Sequence, residues 1–255
     1  SDWSGRVAPP RPAGIEFAQL LQTRAWPPNW DRIERAARAN PGSLWIIGNE
    51  PDLVSQDGLT REQYAHMYKT YYEFISPRDP TAKFCIGAIT GGSTASSLVN
   101  TTGWYQYVLD YYQTNYGYPM PIDIWNIHSY CGPTQIENPD QPINDFVVPF
   151  INWCHTVDGS RYTGCEVWIT ELPIGEWMGA LSEEWIIWFA QRYLPRLGAT
   201  GTVTEVYADG RFVAFGHPFL GAGELELPVG PAEVVAVVPS LFQSFKLANG
   251  GEPRH

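Results

Sequence analysis

The sequence predicts an α/β chain built on a parallel sheet and extended by a β-rich C-terminal segment. Apolar runs of strand length alternate with amphipathic stretches of helix length from residue 14 to residue 194. A run such as SLWIIG (43–48) is apolar throughout, as in a strand covered on both faces. After Pro195 the alternation stops, and Gly- and Val-rich sequence takes over.

The elements follow in order. GIEFAQLL (14–21) reads as a strand after a Pro-rich stretch, and residues Asp31 to Asn40, rich in Ala, Arg and Glu, read as a helix ended by Pro41-Gly42. Ser43 to Gly48 is the next strand. Thr60 to Ile75 is a helix that opens on a capping box, with Thr60 at the N-cap and Gln63 three residues on. KFCIGAIT (83–90) is a buried strand, and Trp104 to Tyr116 has aromatics at helical spacing. Ile122 to Tyr130 is a strand, Phe146 to His155 a helix, Glu166 to Glu171 a strand and Leu181 to Leu194 a helix. These make five β/α units. Beyond them, Ala208-Asp209-Gly210 between two β-rich runs is a hairpin signal. The expected division is 1–197 for the β/α part and 198–255 for the β-rich segment.

Bulk properties narrow the function. A chain of 255 residues has room for one large α/β domain or two smaller ones. Its net charge of −11 repels phosphate backbones, so nucleic acid is not an expected partner. No run of 18 apolar residues is present, so no membrane span is expected. The start, SDWSGRVAPP, lacks the features of a signal peptide; a mature secreted chain would read the same way, and a secreted or extracellular location is favoured. The four cysteines form no CxxC pair and have no His at zinc-finger spacing, so neither a metal nor another cofactor is expected. Cys154 and Cys165 could close a local disulfide or remain thiols. The 11 Trp, 14 Tyr and 11 Phe fit either stacking on sugar rings or the filling of a core.

Two carboxylates carry the chemistry. Glu50 follows SLWIIG and Asn49, and Glu171 follows VWIT, so each stands at the C-terminal end of an expected buried strand. In a barrel those ends share one mouth, where active sites lie. Two carboxyls across a pocket suit glycoside hydrolysis, at ~5 Å for a retaining pair and ~6.5–9.5 Å for an inverting pair. A strand-terminal Glu can equally cap a helix or bind a backbone amide. For Glu50 to act as an acid its pKa must be raised, by the charge of Glu171 and by an apolar wall at Trp45. Trp177, in the loop sequence EWMG, is a candidate stacking platform, while Trp125 reads more simply as core.

WIIGNEPD (45–52) resembles the Asn-Glu-Pro signature of the clan A glycoside hydrolases, which are retaining (β/α)8 barrels. ITELPIG (169–175) is similar to the motif that ends their seventh strand, although Leu-Pro replaces the usual aromatic-Gly after the Glu. DIWNIHSY (123–130) stands where their sixth strand belongs. The resemblance implies a TIM-type barrel over about residues 14–195, with Glu50 as acid/base and Glu171 as nucleophile. It implies that Asn49 holds the sugar 2-hydroxyl and that His128 or Tyr130 orients the nucleophile. The substrate would be a β-linked glucan or a related plant polysaccharide. Five units are fewer than the eight of a full barrel, which takes roughly 250 residues. The expected barrel is therefore incomplete or abbreviated, and its open sheet edges could pair with the tail or make a homodimer. A non-catalytic carbohydrate-binding protein is the rival reading.

The tail has a resemblance of its own. GTVTEVYADGRFVAFGHPFLGAG (201–223), followed by PSLFQSFK, is similar to the serine peptidases of the stage IV sporulation protein B family, in which the His of the Gly-His step is catalytic. His217 matches that step, but the family's Ser lies well downstream and no Ser-His pair can be assembled, so peptidase activity is not expected.

Overall fold

A computed structural model describes residues 5–9, 17–24, 26–131 and 137–171, together with Tyr193 and Arg196. Five strands form one sheet: β1 (Ala18–Leu21), β2 (Leu44–Ile47), β3 (Lys83–Ile86), β4 (Ile124–His128) and β5 (Glu166–Glu171). Their order is β1-β2-β3-β4-β5, and every neighbouring pair is parallel. Between them run helices α1 (Trp30–Ala39), α2 (Arg61–Ile75), α3 (Ala95–Tyr116) and α4 (Val148–Ser160). Sequential parallel strands, each joined to the next by a helical crossover, form the wall of a (β/α) barrel. Five of them make an incomplete barrel among the described residues, as expected. The expected Leu181–Leu194 helix (apart from Tyr193), Trp177 and the whole stretch from 198 onward lie outside those residues.

The two faces of the sheet explain the apolar runs. Trp45, Ile47, Phe84, Ile86, Trp125, Ile127, Val167 and Ile169 face the helices and join Tyr64, Tyr68, Tyr105 and Phe150 in the main core. Leu20, Leu44, Ile46, Cys85, Ile124 and Trp168 face the barrel interior and pack on one another. A strand with apolar neighbours on both sides cannot alternate polar with apolar residues. Each such side chain contributes about 1.5–3 kcal/mol by leaving water.

The tyrosines also fasten strand ends to helices. The Tyr64 hydroxyl donates to the Ile47 carbonyl at 2.8 Å and accepts from the Gly87 N–H at 2.7 Å. The Tyr105 hydroxyl donates to the Asn126 carbonyl at 2.8 Å. Much of the aromatic content is thus core and strand-end fastening rather than sugar platform, and Trp125 is core as read, edge-on to Tyr105, Phe150 and Trp153.

Three departures from the expected elements have physical causes. Helix α3 begins at Ala95, not 104: Thr94 caps it by accepting from the Ser97 N–H, and its first turns (ASSLVNTTG) lack the aromatic spacing that marks the rest. The helix expected from 146 begins at Val148, after a short turn at Asp140–Pro142 and a π-helical turn at Ile143–Val147. Third, β5 carries one extra residue. Ile127 pairs with Ile169, but the next residue, His128, pairs with Glu171, leaving Thr170 as a bulge. The capping box of α2 forms as read, with Thr60 and Gln63 each bonding the other's backbone N–H.

Candidate active site

Glu50, His128, Tyr130 and Glu171 meet at the C-terminal ends of β2, β4 and β5. His128 Nδ1 lies 3.0 Å from Glu50 Oε1, and its Nε2 lies 3.6 Å from Glu171 Oε1. The Tyr130 hydroxyl lies 3.1 Å from Glu50 Oε1 and makes a short hydrogen bond to Glu171 Oε2. Oxygens of the two carboxylates come within 4.8 Å of each other. The side chains of His128 and Glu50 are 1% and 7% exposed, whereas that of Glu171 is 18% exposed, so solvent reaches the group on the Glu171 side.

Each residue arrives there for a local reason. Along β5, Val167 and Ile169 face the helices and Trp168 faces the interior. Simple alternation would send Glu171 outward with Val167 and Ile169. The Thr170 bulge shifts the phase by one and brings Glu171 level with His128. Thr170 itself donates to Asn126 Oδ1 at 2.8 Å, and the Ser129 N–H donates to the Glu171 carbonyl at 2.9 Å. These bonds hold the bulge against β4.

Glu50 sits on unusual backbone. Its φ is +42°, and that of Gly48 is +90°. A left-handed non-glycine residue costs about 1 kcal/mol or more and persists only where its surroundings fix it. Here the Gly48 N–H donates to the Leu21 carbonyl at 2.7 Å, the Glu50 N–H to the Ala88 carbonyl at 2.8 Å and the Leu53 N–H to the Glu50 carbonyl at 2.9 Å. Gly87 and Gly91 let the β3 loop approach closely. A Cβ on Gly87 would sit 2.4 Å from the Ile47 carbonyl oxygen, and one on Gly91 would sit 2.2 Å from that of His128.

The electrostatics correct one expectation. Burial pushes the Glu50 carboxyl up most strongly of any single effect. The hydrogen bond and charge of His128, with the hydrogen bond of Tyr130, together outweigh it and hold Glu50 below its ordinary value. Trp45 is not the apolar wall foreseen: it lies on the helix side of β2, in the main core. Tyr130 moves the other way. Burial first, then the charges of Glu171 and Glu50, raise its pKa far beyond the ordinary phenol range, so it stays a donor.

Asn49 is buried beside Glu50, but the four-residue network does not include its side chain among the described residues. Trp177 lies outside them. Sequence reading missed that His128 contacts both carboxylates: its place on β4 was legible, but its partners are remote in sequence. Glu50, His128 and Glu171 could each turn one donor atom toward a cation. Two of those donors, His128 Nδ1 and Glu50 Oε1, already lie within hydrogen-bonding distance of each other. Cys85, Cys131, Cys154 and Cys165 are all free thiols, so the Cys154–Cys165 disulfide is not formed.

Comparison with known proteins agrees with this architecture. Residues 19–210 match the family model described as the glycosyl hydrolase catalytic core. No curated protein matches the chain. Among solved structures, the chain is similar to a GH128 subgroup III curdlan-specific exo-β-1,3-glucanase from Blastomyces gilchristii, with 24% identity, a TM-score of 0.56, and 80% of this chain and 77% of that chain covered. It is also similar to a GH128 subgroup I endo-β-1,3-glucanase from Amycolatopsis mediterranei in complex with laminaritriose, with 20% identity, a TM-score of 0.56, and 80% and 76% covered. A GH128 subgroup II endo-β-1,3-glucanase from Sorangium cellulosum aligns over 96% of this chain and 86% of its own, at 16% identity and a TM-score of 0.55. These structures share the fold. The match to the family model takes in more than half of the chain and all five strands, so the chain belongs to the glycosyl hydrolase catalytic core family and is a glycoside hydrolase.

Proposed function

We propose that the chain is a retaining hydrolase of β-1,3-glucans, with Glu50 as acid/base and Glu171 as nucleophile. The observation that carries this reading is the approach of the two carboxylates to within 4.8 Å at the ends of β2 and β5. That spacing suits direct attack on C1; an inverting pair stands ~6.5–9.5 Å apart to admit water. The three-strand interval from β2 to β5 equals that between the fourth and seventh strands of clan A barrels, which supports the assignment of roles. The β-1,3 linkage rests on the solved structures that share the fold, which are β-1,3-glucanases.

In the first step Glu171 bonds to C1 as the C1–O bond breaks and Glu50 gives its proton to the departing oxygen. In the second, Glu50 takes a proton from water, which displaces Glu171 from C1. Tyr130 and His128 hold Glu171 and Glu50 in register. A sugar filling the pocket excludes water and strengthens the burial that already pushes Glu50 toward its protonated form. Asn49, beside Glu50, would take the sugar 2-hydroxyl, and Trp177 would stack on a ring.

Glu50→Gln and Glu171→Gln should each lower kcat on laminarin by on the order of 10²- to 10⁴-fold. Azide should restore turnover to Glu171→Ala and yield a glycosyl azide of inverted configuration. Near-normal hydrolysis by either Gln variant would overturn the assignment. Laminarin binding without turnover by the unaltered chain would favour the carbohydrate-binding reading.

A further inference from the structure

Asp57 is a buried carboxylate that touches none of the four residues described above. It lies in the loop between β2 and α2 and is 4% exposed. Its Oδ1 accepts the N–H groups of Thr23 at 3.1 Å and Arg24 at 3.2 Å, both in the loop after β1. Its Oδ2 accepts the Asn49 N–H at 2.9 Å, beside Glu50. Arg24 Nη1 also donates to the Ser55 carbonyl at 2.9 Å, two residues before Asp57. One side chain thus ties two strand-end loops together at the point where the backbone is left-handed. The backbones of Gly48 and Glu50, the two left-handed residues on either side of Asn49, are also held by backbone–backbone bonds. The remaining space is full: a Cβ on Gly48 would meet Asp57 Oδ2 at 3.2 Å and Tyr64 Cε2 at 3.1 Å.

We propose that Asp57 is a positioning residue for the acid/base: by clamping Asn49 to the β1 loop it holds Glu50 at the left-handed backbone angle that aims its carboxyl at the leaving oxygen. The placement rests on the assignment of Glu50 as acid/base. Burying a carboxylate is costly unless its oxygens are bonded, and here both oxygens are committed to backbone N–H groups. A residue that only filled space would not need a charge there. Asp57 does not touch the reacting atoms. Its effect is on how often Glu50 stands in line, and a small misplacement of a reacting group can cost 10²-fold.

The test compares two substrates within each enzyme preparation. Laminaripentaose has a sugar leaving group that needs a proton; a dinitrophenyl β-laminaribioside has a leaving group that needs almost none. The ratio of their kcat/KM values does not depend on how much of a preparation is folded. In Asp57→Asn this ratio should fall by on the order of 10- to 100-fold, mainly through kcat on laminaripentaose. Gly48→Ala, which crowds the same clamp from the opposite side, should lower it in the same direction and serves if Asp57→Asn does not fold. An unchanged ratio in the folded variants would overturn the proposal. Glu50→Gln is the control for the underlying assignment. If it too leaves the ratio unchanged, Glu50 is not the acid; if it lowers the ratio while the Asp57 and Gly48 variants do not, only the positioning role is lost.

Discussion

The Tyr130 hydroxyl has one proton and two carboxylates within reach. It makes its short bond to Glu171 and stands 3.1 Å from Glu50 Oε1. Its hydrogen bond adds to the larger effect of His128 in holding Glu50 below the ordinary carboxylate range, against burial, which pushes it up. Removing it lets burial count for more. Tyr130→Phe should therefore move the basic limb of the kcat/KM pH profile, where the acid loses its proton, to higher pH. A limb that stays in place would mean that His128 alone sets the Glu50 proton. How much of this was legible in the sequence depends on range. That Glu50 and Glu171 end buried strands can be read from SLWIIG and EVWIT, because both patterns are local. The direction of the Glu50 shift could not be read, because it depends on His128, 78 residues away, and on which ring nitrogen faces the carboxylate.

At the level of elements, the loop after β3 has no catalytic group in this reading, yet it sets how close β2 and β4 can come. Gly87 lies against the Ile47 and Gly48 carbonyls, and Gly91 lies against the carbonyl and Cβ of His128. Gly91→Ala would put a methyl 2.2 Å from the His128 carbonyl oxygen and 2.5 Å from its Cβ, separations that no relaxed structure keeps. His128 must shift, and with it the contacts to both carboxylates. The expected outcome is a loss of kcat on laminarin on the order of 10²-fold while the chain remains folded by circular dichroism. Wild-type kcat would show that the loop yields instead. The strands themselves were legible to within a few residues because both faces are apolar. The start of α3 was not: in ASSLVNTTG the Ser and Thr residues compete for backbone bonds as readily outside a helix as in one.

Across the whole molecule, the family match ends at residue 210, past the boundary drawn at 197, and so takes in the start of the C-terminal segment, whose expected likeness to a peptidase finds no support in the comparisons. His217 falls beyond it. His217→Ala is expected to leave laminarin hydrolysis unchanged, measured as kcat/KM. A marked loss would mean that the tail completes the sugar cleft. Alternation and element order made the architecture legible from one end of the sheet to the other. The phase slip at Thr170 was not, because nothing in EVWITE announces an added residue and only the partner strand reveals it. That slip also bears on how such a chain can change over generations. Deleting Thr170 in one step would place Glu171 directly after Ile169, where plain alternation keeps it paired with His128 on the interior side, and would cost only the bond from Thr170 to Asn126. The added residue is therefore not what aims Glu171 inward; as a bulge it lets a strand longer by one residue deliver the same carboxylate. In this scaffold, strands that differ in length by a single codon can present the same pair of carboxylates.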